Sequence, residues 1–146
     1  GNDFGPLISK TQKERVMSYI DLGREEGAEL LTGGNSYGDQ GHFVQPTIFS
    51  NVNGDMRIAK EEIFGPVLCA QSFSSQDLEQ IASEANDTPY GLSGSVWSQD
   101  ISIAHKMAML IDAGQVSINC HAAVDPAIPF GGNKQSLGKR IWCRRP

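Results

Sequence analysis

Apolar positions recur at helical spacing through Val16, Tyr19, Ile20 and Gly23, on a stretch that opens at Ser9. A serine there can accept from the free N–H groups of a first turn, so the pattern predicts a helix from Ser9 to about Glu26, stopped by Gly27. Glu29 to Thr32 predicts a short strand, and Gly33-Gly34-Asn35-Ser36-Tyr37-Gly38 a surface hairpin. His42 to Phe49 is extended with Pro46 inside it, which predicts an edge strand or irregular arm. Asp55 to Ile63 predicts one or two helical turns. Val67 to Phe73 predicts a strand covered on both faces, because its apolar run is nearly continuous.

The second half repeats this alternation. Ser75 predicts the cap of a helix through Ala85 that turns Leu78, Ile81, Ala82 and Ala85 inward. Residues 86–91 read as a loop and Leu92 to Trp97 as a strand. Asp100 predicts the cap of a helix to about Ile111, with Ile103, Ala104, Met107 and Leu110 or Ile111 inward and Gly114 as its stop. Val116 to Asn119 predicts a strand, and Cys120 to Gly138 a long loop without periodicity. Strands that alternate with helices predict an α/β fold, a mostly parallel twisted sheet with helices on both faces.

Composition narrows the class. The chain has 146 residues, 39% hydrophobic and 20% charged, as a globular protein does. A net charge of -5 argues against nucleic acid or an anionic membrane as partner. No apolar run approaches the roughly 20 residues of a membrane helix, and no signal peptide opens the chain. Cys69, Cys120 and Cys143 form neither a disulfide framework nor a zinc pattern, which suits a reducing, cytoplasmic setting. Five of the 12 basic residues crowd the end (Lys134, Lys139, Arg140, Arg144, Arg145). Residues 1–136 are therefore expected to form one partial domain, and residues 137–146 a divergent basic tail.

Most candidate motifs fail. Gly132 and Gly138 are one residue too far apart for a phosphate loop, and Arg140 stands where Ser or Thr is required. No dinucleotide glycine fingerprint is present. His42, His105 and His121 have no carboxylate or thiol at ligand spacing, so no metal is expected. Glu61-Glu62-Ile63-Phe64-Gly65-Pro66-Val67 is more informative: two acids and an aromatic ring at a break forced by Gly-Pro. A carboxylate there can accept from a sugar diol, and a ring can lie along a flat heterocycle. On local chemistry alone, a solvated surface turn is the favoured account.

Several motifs in order decide between these accounts. Glu61 to Val67, then Asn119-Cys120-His121, then Pro129-Phe130-Gly131-Gly132-Asn133-Lys134-Gln135-Ser136 resemble the aldehyde dehydrogenase superfamily. Gly5-Pro6-Leu7, the helix from Lys10, Gly27-Ala28 to Gly34, and Asn86 to Leu92 fall where that family has them. The resemblance covers about residues 3–136 and implies the C-terminal part of a catalytic domain. It implies NAD or NADP as cofactor, with NAD favoured, and an aldehyde oxidised to a carboxylic acid. It gives Glu62 the nicotinamide ribose hydroxyls and Phe64 the edge of the nicotinamide ring. Gln12 and Arg15, one turn apart on the first helix, would reach toward the cofactor; many relatives carry Lys in place of Arg15. His121, Ala122, Ala123 and Val124 would line the aldehyde's path, with Phe130 across from them. The small Ala122 and Ala123 imply room for a larger, apolar or aromatic aldehyde.

The family's nucleophilic Cys and general-base Glu match no residue here, so no catalytic residue is assigned and the chain alone is expected to be inactive. After Ser136 the pattern dissolves, which reads as a frameshift or premature end. The complete protein is expected to be a homo-oligomer, while loss of the family's final assembly strand would leave this chain without that contact. A non-catalytic remnant acting as an interaction module remains the alternative.

Overall fold

A computed structural model describes residues 4–121, 123–125 and 127–136. Ala122, Cys143 and the basic tail at residues 137–146 lie outside those residues. The chain forms two compact units, Gly1–Phe73 and Ser74–Pro146.

In the first unit, α1 (Lys10–Glu25) starts as its sequence predicts: the Ser9 side chain accepts from the Gln12 N–H. Its apolar stripe puts Val16 and Ile20, both fully buried, against Phe49, Ile58 and Ile63. Each such side chain contributes about 1.5–3 kcal/mol on burial. Gly27, at φ 89°, turns the chain out of the helix and into β1 (Glu29–Thr32). β1 pairs antiparallel with β2 (Thr47–Ser50), which pairs parallel with β3 (Val67–Cys69). A short helix, α2 (Arg57–Lys60), lies between β2 and β3 in sequence.

Three expectations are corrected here. β2 is the central strand of its sheet, not an edge. Pro46 precedes the strand, so the first ladder donor is the Thr47 N–H, which reaches Pro66 O at 2.8 Å. β3 stops at Cys69 instead of Phe73, and Leu68 is 58% exposed, so only one face of the run is covered.

The second unit packs α3 (Leu78–Ala85) against α4 (Ile101–Leu110). Asp100 caps α4 as predicted, accepting from Ser102 and Ile103 N–H. Asp77, not Ser75, caps α3; the Ser75 hydroxyl accepts from Asp77 N–H, one turn earlier in the approach. Ala82 is buried, whereas Ala85 faces solvent. The second unit holds β4 (Tyr90–Gly91), β5 (Ser93–Val96), β6 (Gln115–Ile118) and β7 (Asn133–Lys134). β5 and β6 pair parallel, while β4 and β7 pair antiparallel inside segments expected to be loops. Two-residue strands carry no periodicity, which is why the sequence hides them.

Gly114 does not end α4, whose C-cap is Ile111. Its N–H donates to Gly91 O at 2.9 Å, and a Cβ there would run into the Gly131 carbonyl. Close approach of two backbones explains this glycine. The α/β class holds, with helices and strands alternating along the chain. Among the described residues parallel ladders join β2 to β3 and β5 to β6, and antiparallel ones join β1 to β2 and β4 to β7.

Candidate functional site

The acidic turn is fastened from two helices. Gln12 Nε2 on α1 donates to the carbonyls of Ile63 at 3.3 Å and Phe64 at 3.0 Å. One turn further, Arg15 Nη2 donates to Glu62 O at 3.0 Å, and its guanidinium lies 5.4 Å from the centre of the Tyr19 ring. The i, i+3 spacing thus brings both side chains to one strand of backbone. Gly65 closes the turn against the same helix, since a Cβ there would sit 2.6 Å from Val16 Cγ2.

The two acids have opposite surroundings. Glu61 takes Arg57 in a two-pronged pair, Nε to Oε1 at 2.8 Å and Nη2 to Oε2 at 3.1 Å. Tyr19 OH adds a hydrogen bond to Oε2 at 2.5 Å. The Arg57 guanidinium and then the Tyr19 hydroxyl hold this carboxyl down at about 2. The same bond to Glu61, with burial, raises the Tyr19 phenol. Glu62 is exposed, and its carboxylate meets no hydrogen-bond or ion-pair partner among the described residues. Phe64 sits at φ 56°, a left-handed conformation a side chain rarely adopts, with its ring 71% exposed. Strain of about 1–3 kcal/mol persists only where surrounding contacts impose it. Here Gln12 grips the carbonyl and Gly65 is packed beneath. Glu61 is therefore the scaffold acid; Glu62 and Phe64 are presented outward. This pairing of an open acceptor with an open ring fits a ribose diol joined to a flat heterocycle.

In the second unit a cleft of about 220 Å³ forms between strands and loop. The expected residues Ala123, Val124 and Phe130 line it, together with His121. His121 Nδ1 lies 3.1 Å from Ser95 Oγ. Ala122 belongs to the same loop but lies outside the described residues.

Several motif residues turn out to be structural, which their sequence pattern does not reveal. Asn86 ties the end of α4 together: its Nδ2 donates to Leu110 O at 2.8 Å and its Oδ1 accepts from Asp112 N–H at 2.8 Å. Lys134 Nζ donates to Asn86 O at 2.7 Å. The buried Ser136 hydroxyl accepts from Gly91 N–H at 3.0 Å. Asn119, at φ 52°, exchanges hydrogen bonds with Ser98 through both ends of its amide. Cys69 Sγ lies 3.3 Å from Ile58 O, and burial raises its thiol, the opposite of what a nucleophile needs.

Comparison with known proteins gives the family. The family model described as "Aldehyde dehydrogenase family" matches residues 1–142. A mitochondrial aldehyde dehydrogenase of Leishmania tarentolae is 46% identical over 146 residues, covering 97% of this chain and 29% of that protein. A protein of Staphylococcus saprophyticus, described as a possible aldehyde dehydrogenase, is 50% identical over 145 residues, covering 97% and 30%. The NAD+ complex of the Bacillus cereus aldehyde dehydrogenase superposes with a TM-score of 0.87 at 44% identity, over 95% of this chain and 28% of that one. The chain belongs to the aldehyde dehydrogenase family. It spans less than a third of the length of these relatives.

Proposed function

We propose that the chain is part of an NAD(P)-dependent oxidoreductase that converts an aldehyde to a carboxylic acid. The observation that carries this reading is the divided acid pair: Glu61 is engaged by Arg57 and Tyr19, while Glu62 is left open beside an exposed, backbone-strained Phe64. Glu62 accepts from the ribose hydroxyls, and Phe64 borders the nicotinamide. Gln12 and Arg15 hold the turn by its carbonyls and use their remaining polar atoms toward the same cofactor. Bound NAD(P)+ supplies the hydride acceptor. The relatives solved with NAD+ favour NAD over NADP.

Ala122, Ala123, Val124 and Phe130 border the path of the aldehyde. The thiol that attacks the aldehyde and the carboxylate that activates water come from elsewhere in the full-length protein. Cys69 supports this assignment, being held by a backbone carbonyl with a raised thiol. The free thiols Cys69 and Cys120 support a reducing setting such as the cytoplasm; among the described residues no helix is long and apolar enough to cross a membrane.

Rapid-mixing measurement on the full-length protein tests the site. Glu62→Gln is expected to slow hydride transfer by misplacing the nicotinamide, and an unchanged rate removes Glu62 from the site. The purified chain by itself is expected to form no NADH from aldehyde and NAD+. Aldehyde-dependent NADH from it would show that the nucleophile and base lie within these residues.

A further inference from the structure

We infer that the cleft of the second unit selects aldehydes whose tail carries hydroxyl groups, with Ser95, Ser117 and His121 as the specificity-determining side chains. This rests on the dehydrogenase reading and adds the substrate class. The two faces of the β5–β6 pair are unlike. A parallel pair is ordinarily apolar on both faces. In register, Gly94 pairs with Val116 and Val96 with Ile118, and a Cβ on Gly94 would meet the Ile111 side chain at 3.1 Å, so α4 covers that face.

On the other face Ser93 pairs with Gln115 and Ser95 with Ser117: three hydroxyls and an amide in one patch. All four line the 220 Å³ cleft. Covering them with an apolar layer would cost about 1–3 kcal/mol for each polar group left unpaired. The floor is therefore matched to a partner that hydrogen-bonds. His121 extends it from the loop, with one ring nitrogen 3.1 Å from Ser95 Oγ and the other without a partner among the described residues.

Size does not decide the tail: a cavity of about 150 Å³ already holds benzene, so the 220 Å³ cleft has room for a ring as well as for a short hydroxylated chain. The chemistry of its lining decides. Serine hydroxyls both donate and accept, so they match tail hydroxyls in either role. An apolar tail of equal length leaves them unpaired, and a site built to bond a hydroxyl rejects the analogue lacking it.

Glyceraldehyde and propanal share one carbon skeleton and make the test. In the full-length protein, glyceraldehyde is expected to have the higher kcat/KM. The double variant Ser95→Ala, Ser117→Ala is expected to lower the glyceraldehyde-to-propanal ratio by roughly tenfold, the value of two lost hydrogen bonds. A preference for propanal, or a ratio unchanged in the variant, overturns the inference. Failure to form NADH from any of a panel of aliphatic, hydroxylated and aromatic aldehydes would sink the dehydrogenase reading instead. In that event NMR on the chain itself decides the cleft. Glyceraldehyde should shift the Ser93, Ser95, Gln115 and Ser117 amides where propanal does not; equal shifts, or none, overturn it.

Discussion

Phe64 allows the strain in the acidic turn to be measured without any ligand. Its φ of 56° places Cβ where a left-handed backbone costs about 1–2 kcal/mol. The comparison is between Phe64→Ala and Phe64→Gly. Both remove the ring, and since that ring is 71% exposed its loss is small and common to the two. Alanine keeps the penalised Cβ and glycine removes it. Glycine's greater freedom in the unfolded chain offsets about 0.4–1 kcal/mol of the relief. The glycine variant should therefore be more stable than the alanine variant by about 0.5–1 kcal/mol. In a unit of this size that is a rise in Tm of roughly 2–8 °C. Urea unfolding followed by circular dichroism, with a thermal scan beside it, reads the difference. An alanine variant as stable as the glycine one, or more so, would mean that Phe64 is not strained and that Gln12 restrains nothing.

Further perturbations probe the rest of the framework. Gly65→Ala should destabilise by about 1–3 kcal/mol through overpacking on Val16, and Val16→Ala in the same chain should recover part of it in urea midpoints. Glu61 titrates at about 2 when folded and near 4.5 otherwise, so its contribution is present above pH 4.5 and lost as pH falls through 2. Midpoints of the native chain and of Glu61→Gln should accordingly converge between those values; a gap constant from pH 6 to pH 2 would refute the pairing. Ser136→Ala strands the buried Gly91 N–H and should cost about 1–3 kcal/mol, visible as lost hydrogen-exchange protection in β4 and β7. Cys69 should react with a water-soluble disulfide reagent more slowly than a free peptide thiol at pH 8, since burial raises its thiol.

Capped helices were the most legible part of the sequence. Ser9 and Asp100 announce their helices because one oxygen and a 3.6-residue stripe suffice, and both act locally. The central position of β2 was not legible, because pairing order depends on partners distant in sequence, Glu29–Thr32 and Val67–Cys69. Pro46 misled for the same reason: its missing N–H matters only if it falls inside a ladder, and it falls one residue short. β4 and β7 escaped because their register is set by Ser136, Asn133 and the approach of Gly114, all non-local. At the site, adjacency of the two acids was plain, but which one stays open was not. That choice is made by Tyr19 and Arg57, 42 and 4 residues away.

A turn written with two glutamates acts on its surroundings as though it had one. Arg57 cancels the charge of Glu61 at close range, so the local field outside the turn is that of the single Glu62 carboxylate. An uncancelled like-charged neighbour would otherwise raise the energy of both acids. What approaches the turn therefore meets one carboxylate without a charged partner among the described residues, next to an aromatic face. Loss of Arg57 would leave the charge of Glu61 uncancelled beside that of Glu62.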